Sequence, residues 1–127
     1  MKRAVLLDTS FLVALERETA NREKGPARAF LPLLRGRRLV VSVVTVEELL
    51  EGAADGEVAF ASLQRFAVQG LHLAQARRCA LLQRRSARRL GENDAWLVAT
   101  AESLGADVVG ADRSAFERLG SRYLRFR

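Results

Sequence analysis

Apolar residues in this chain fall in short runs separated by polar stretches. Ala4-Val5-Leu6-Leu7 is an unbroken apolar run closed by Asp8, the pattern of a strand buried on both faces of a parallel sheet. Leu39 to Val44 is apolar and β-branched and predicts a second strand. Between them Phe11 to Arg17 reads as a helix and polar Glu18 to Gly25 as a loop. Pro26 suits the first turn of a helix reaching Leu34, with Gly36 as its stop. Thr45-Val46-Glu47-Glu48 has capping-box spacing and predicts a helix to Ala53. A helix over Val58–Phe66 and a short strand over Val68–Leu73, weakened by Gly70, follow. Gln75 to Leu90 reads as a long helix ended by Gly91, and Asn93 or Asp94 opens another that reaches Leu104 and ends at Gly105. Asp107–Gly110 reads as a strand, Arg113–Leu119 as a short helix and Tyr123–Phe126 as a last strand. Strands alternating with helices predict an α/β domain with a mainly parallel central sheet, and 127 residues suit a single domain over 1–127.

Composition narrows the function. A single cysteine, Cys79, allows no internal disulfide and fits a cytoplasmic protein. With one histidine, His72, an all-histidine zinc site is excluded, and a Cys-His pair is too few ligands for structural zinc. No apolar run approaches a membrane span, and Asp8 ends the first run too early for a signal sequence. The net charge of +6 is unevenly placed: Glu47, Glu48, Glu51, Asp55 and Glu57 form an acidic block, whereas Val58 to Gly91 holds seven arginines and no acid. Such asymmetry points to an anionic partner, nucleic acid first. Because 19 of the 21 basic residues are arginine, a composition bias also contributes.

Four acids recur in one context, just after an apolar strand-like run or at a helix start: Asp8, Glu48, Asp94 and Asp112. In a parallel sheet these places fall at the carboxyl edge, where ligand crevices open. Each has a plain structural alternative: Asp8, Asp94 and Asp112 as helix caps, Glu48 as the capping-box partner of Thr45. Together, converging carboxylates repel one another and some stay protonated. A hard divalent cation relieves that repulsion; magnesium takes oxygen ligands, keeps waters, and suits phosphoryl chemistry.

Leu7-Asp8-Thr9-Ser10, Val46-Glu47-Glu48-Leu49-Leu50-Glu51-Gly52, Asn93-Asp94-Ala95-Trp96-Leu97-Val98-Ala99-Thr100-Ala101 and Ala111-Asp112-Arg113-Ser114-Ala115-Phe116 together resemble the PIN-domain nucleases, and within them the VapC-type ribonuclease toxins of toxin–antitoxin pairs. The pieces stand in the family's order and cover nearly the whole chain. By that resemblance Asp8, Glu48, Asp94 and Asp112 are the acidic metal site, with Glu48 chosen over Glu47 by the Glu-Leu-x-x-Gly pattern. The resemblance implies a three-layer α/β/α fold, a Mg²⁺- or Mn²⁺-dependent endoribonuclease acting on RNA, a frequent homodimer, and a cognate antitoxin as partner. Thr9 and Ser10 suit a supporting role beside a metal carboxylate, or cap the Phe11 helix.

In Gln75–Leu90, Arg77, Arg78, Arg84, Arg85, Arg88 and Arg89 fall within about 140° of one helix face. That stripe suits an RNA backbone or a solvated surface. Ala76, Cys79, Ala80, Ala87 and Leu90 gather on the far side as the expected core face, while Leu81 falls among the arginines. Cys79 reads as a small core residue, Trp96 as core packing before base stacking, and His72 as structural. Competing functions are a non-catalytic RNA-binding or interaction module on the same fold, and an aspartyl phosphatase. Ser10 stands where haloacid-dehalogenase-type enzymes need a second Asp, and no Gly-x-Ser-x-Gly occurs for a serine hydrolase.

Overall fold

The computed structural model describes residues 2–111 and 114–127. Five strands, β1 (Val5–Leu7), β2 (Leu39–Ser42), β3 (Ala67–Gln69), β4 (Asp107–Gly110) and β5 (Tyr123–Arg125), form one sheet in the order β3-β2-β1-β4-β5. Every pairing is parallel. The chain builds outward from β1 through β2 to β3, then crosses back to place β4 on the other side of β1. The order therefore reverses between β1 and β4, and a crevice opens at the carboxyl ends of the strands there.

Strand alternation sorts the core into two layers. Leu6, Val40 and Val108 face α5 (Leu73–Arg85), α6 (Glu92–Leu104) and the 3₁₀ segment Ser114–Arg122, packing on Cys79, Leu82, Val98 and Phe116. Val5, Leu7, Val41 and Val109 face the opposite way, onto Phe11, Leu15, Ala27 and Phe66. That second layer comprises α1 (Thr9–Ala20), α2 (Pro26–Phe30) with its 3₁₀ extension Leu31–Leu34, and the segment around α4 (Gly56–Ser62). The result is the α/β/α sandwich expected, with every strand parallel. Cys79 is buried in the first layer and Trp96 packs against it, as expected of both.

Several element ends differ from the sequence reading. The first helix starts at Thr9, because Asp8 caps it and Thr9 and Ser10 lie inside it, and it runs on to Ala20. The helix after β2, α3 (Val43–Gly52), starts at Val43 with Ser42 as its cap, the Ser42 hydroxyl accepting from the Val44 N–H at 3.1 Å. Thr45 is buried inside that helix and caps nothing, so Glu48 lies in the second turn and is not its capping partner. Helix propensity of β-branched residues is only weakly unfavourable, and the packed strand end overrides it. His72 is not in a strand: β3 ends at Gln69, and His72 caps α5, its N–H donating to Gln75 Oε1 at 2.6 Å.

The largest difference is the end of α5. It stops at Arg85, not Leu90; Ser86 turns to extended geometry, and its hydroxyl donates to the Leu82 carbonyl at 2.8 Å. Arg88 and Arg89 therefore stand on a loop and do not continue the arginine stripe, while Ala80 and Ala87 are exposed and supply no core face. By contrast, Asp107–Gly110 is a strand as read, and Gly105 closes α6 in the left-handed conformation that favours glycine.

Candidate active site

Asp8 stands at the carboxyl end of the central strand and is 2% exposed. Its N–H donates to the Val109 carbonyl at 2.9 Å, so the backbone ties β1 to β4 where the crevice opens. Its carboxylate Oδ2 accepts from the Ser10 hydroxyl at 2.7 Å and from the Ser10 N–H at 3.4 Å. Asp8 is thus the cap of α1, set at the carboxyl end of the sheet where its order reverses. The Ser10 oxygen accepts in turn from the Ala111 N–H at 3.0 Å, linking Asp8 to the chain just past β4. Gly110 makes room for this arrangement: a Cβ there would lie 3.1 Å from Asp8 Oδ2. A glycine closing an apolar strand just before an acid is the signal for that approach, and it is easily missed in the sequence.

Thr9, one residue earlier on α1, serves a second carboxylate. Its hydroxyl donates to Glu48 Oε1 at 2.7 Å, bridging α1 and α3. Glu48 is half-buried, whereas Glu47 is exposed on the same helix. The Glu51 side chain, by hydrogen bond and by charge, raises the Glu47 carboxyl above its ordinary value, with burial and the Glu48 charge adding to it. Of the two neighbours, Glu48 is the one that lines a cleft with Asp94.

Asp94 lies in the first turn of α6, where the helix dipole favours an acid, and is half-buried. Glu48 and Asp94 line one cleft of about 320 Å³ together with Gly91, Glu92 and Asn93. Asp94 and Gly91 also line an adjoining cleft of about 630 Å³ with Arg88, Arg89 and Ser114. Asp112 lies outside the described residues. Among the described residues, no three histidine, cysteine, aspartate or glutamate side chains gather closely enough to hold a metal ion. The candidate acids that line the cleft, Glu48 and Asp94, offer carboxylate oxygens, the chemistry magnesium and manganese accept, and magnesium needs only one or two of them beside waters. The donor set fits such an ion.

Arg77, Arg78, Arg84 and Arg85 are exposed on α5. Cys79 is inert core: burial pushes its thiol up, the Glu92 charge adds to this, and Arg89 opposes it. Among the described residues, no helix is long and apolar enough to cross a membrane.

A sequence profile of the PIN domain matches residues 5–121. No curated protein matches the chain. Among solved structures, a chain of VapBC-1 from nontypeable Haemophilus influenzae is 24% identical, with a TM-score of 0.72 over 97% of this chain and 98% of that one. A chain of the DNA-bound VapBC from Salmonella typhimurium is 22% identical, with a TM-score of 0.75 over 99% and 100%. A chain of a toxin–antitoxin complex from Klebsiella pneumoniae is 18% identical, with a TM-score of 0.78 over 98% of each. Since the profile match spans β1 to β4 and stops just short of β5, and so takes in nearly the whole parallel sheet, the chain belongs to the PIN-domain family.

Proposed function

We infer that this protein is a metal-dependent endoribonuclease and the toxin of a toxin–antitoxin pair. The observation that carries the reading is a buried carboxylate, Asp8, at the switch point of a parallel sheet, braced by a hydroxyl and flanked by a cleft that Glu48 and Asp94 share. Asp8, Glu48, Asp94 and Asp112 would hold Mg²⁺ or Mn²⁺. Such an ion, when bound, supplies a hydroxide-like nucleophile and steadies the leaving oxygen of a phosphodiester. Ser10 and Thr9 orient Asp8 and Glu48. The α5 arginines, with Arg88 and Arg89 on the loop beyond, draw an anionic chain toward an otherwise acidic edge. The solved structures of like fold are toxin–antitoxin complexes, which supports a cognate antitoxin as partner. An apolar groove of about 400 Å³ between α1, α3 and α4, lined by Leu12, Leu49, Leu63 and Phe66, suits the burial of a partner's apolar side chains. A homodimer and a cytoplasmic location are consistent with the same reading.

RNA cleavage with Mg²⁺, with Mn²⁺ and with EDTA, against Asp8→Asn, tests the inference. Wild-type cleavage should need the metal, and the variant should fall by orders of magnitude; full activity in EDTA would refute it. The rival reading is a non-catalytic RNA-binding module on the same fold. The same assay decides it, as RNA binding without metal-dependent cleavage.

A further inference from the structure

The loop between α5 and α6 is tied down by side-chain hydrogen bonds beside the acidic cleft. After α5 ends, the side-chain amide of Gln83 reaches seven residues ahead and clamps Leu90 on both backbone groups. Gln83 Nε2 donates to the Leu90 carbonyl at 3.0 Å, and the Leu90 N–H donates to Gln83 Oε1 at 2.9 Å. The Ser86 hydroxyl closes the other end of the loop on Leu82. Arg89 lines the 630 Å³ cleft too, but its charge is taken up by an ion pair with Glu92 at 2.8 Å. Arg88 is exposed, makes no ion pair among the described residues, and lines the 630 Å³ cleft that has Asp94 in its wall. Sharing Gly91 and Asp94, the two clefts make one depression with an acidic half, lined by Glu48, Glu92 and Asp94, and a basic half, lined by Arg88 and by Arg89, which Glu92 already pairs.

A phosphodiester chain crossing that depression puts one phosphate at the acids and the next beside Arg88. An arginine fork matches phosphate oxygens well, and a loop clamped in advance loses little freedom when it binds them. We propose that Arg88, positioned by the Gln83–Leu90 clamp, binds the backbone phosphate adjoining the one that is hydrolysed. The substrate must then carry a charged linkage next to the scissile bond. This rests on the nuclease reading for the identity of the neighbouring phosphate, and it assigns Arg88 a role separate from that of the α5 arginines.

The test uses short single-stranded RNA oligonucleotides in which each linkage in turn is a neutral methylphosphonate. Both metal-dependent cleavage and metal-free affinity are measured, for wild type, Arg88→Gln and Gln83→Ala. In wild type, neutralising one linkage beside the cleaved bond should lower kcat/KM and affinity by about tenfold, the size of one charge-assisted hydrogen bond. Arg88→Gln should be weaker on the natural RNA and indifferent to that substitution. Gln83→Ala, with the loop released, should show a reduced difference, and Arg88→Lys should recover part of it. Equal sensitivity in wild type and Arg88→Gln, in cleavage and in affinity alike, would overturn the proposal. If wild type binds with the predicted position-dependence yet cleaves nothing, the phosphate site stands and the nuclease reading fails.

Discussion

At the residue scale, the site is made by hydroxyls that each serve one carboxylate. Ser10 donates to Asp8 and accepts from the Ala111 N–H, so Ser10→Ala removes a brace and strands a backbone donor. The expected cost is about 1–2 kcal/mol of stability, with metal affinity falling about tenfold to a hundredfold, as when other orienting partners of metal ligands are removed. Thermal melts with and without Mn²⁺ read both quantities, and an unchanged metal-dependent shift would count against an orienting role. Asp8→Asn is expected to separate the two functions of Asp8. Asparagine caps helices as well as aspartate does, so the metal-free melting temperature should stay close to wild type. The stabilisation by added Mg²⁺ or Mn²⁺ should vanish, because ligand-linked stability needs the binding site. A large loss of metal-free stability in Asp8→Asn would make the charge itself a structural requirement. Asp8 is legible in the sequence because a charge directly after a buried strand has few physical excuses. Gly110 and the Ser10–Ala111 link are not, because they depend on how closely β4 passes β1.

At the element scale, helix ends account for most of what differs from the sequence reading. Glu18, expected to begin a loop, is a buried cap for a different helix. Its carboxylate accepts the Ala27 and Arg28 N–H groups at 3.0 and 2.8 Å, and a Cβ on Gly25 would collide with it at 2.6 Å. Burial by itself would raise the Glu18 pKa; the N–H groups of Arg28, Ala27 and Gly25 and the Arg28 charge outweigh it and hold the carboxyl below 4.5. A carboxyl whose folded pKa is depressed adds stability at pH values above the unfolded one, and that stability is lost as pH falls through the folded pKa. The stability gap between wild type and Glu18→Gln should therefore be constant near neutrality and shrink on acidification below 4.5, in urea melts across pH. A gap unchanged down to about pH 3 would show that the bonds do not depend on the charge. The arginine stripe behaves as two elements. Changing Arg77, Arg78 and Arg84 to Gln should lower the slope of log K against log salt by about 0.7 for each phosphate of single-stranded RNA that is no longer neutralised, leaving the discrimination assigned to Arg88 intact. An unchanged slope would assign the α5 face to solvent or to a protein partner.

At the scale of the whole molecule, the two edges of the sheet carry different tasks. At the carboxyl edge Ser10 bonds Asp8 and Thr9 bonds Glu48. The amino edge is closed by Asp107, which pairs with Arg37 and, at 3.4 Å, with Arg3, while Arg37 also donates to the Arg3 carbonyl. Arg37 and Asp107 side chains are only 14% and 10% exposed, so Arg37→Ala leaves a poorly solvated acid with one distant partner. The expected loss is about 2–3 kcal/mol, softened by Arg3 relative to a fully broken buried pair, or about 6–15 °C in melting temperature. Cleavage well below the melting point should be unchanged, and a proportionate loss of activity would mean the edges are coupled. What the sequence by itself determined was the alternation of elements, the parallel sheet, the buried strands and the acids at their ends. Those follow from local patterns, because a strand buried on both faces must be apolar throughout and a helix must show its period. What only the tertiary structure decided was where α3 starts and α5 stops, and which hydroxyl meets which carboxylate. It also decided that Arg88 stands on a clamped loop beside Asp94 and not on a helix. These depend on interactions between residues far apart in the chain, such as Thr9 with Glu48 and Ser10 with Ala111. Their free energies exceed the few tenths of a kcal/mol by which local propensity favours one helix boundary over another.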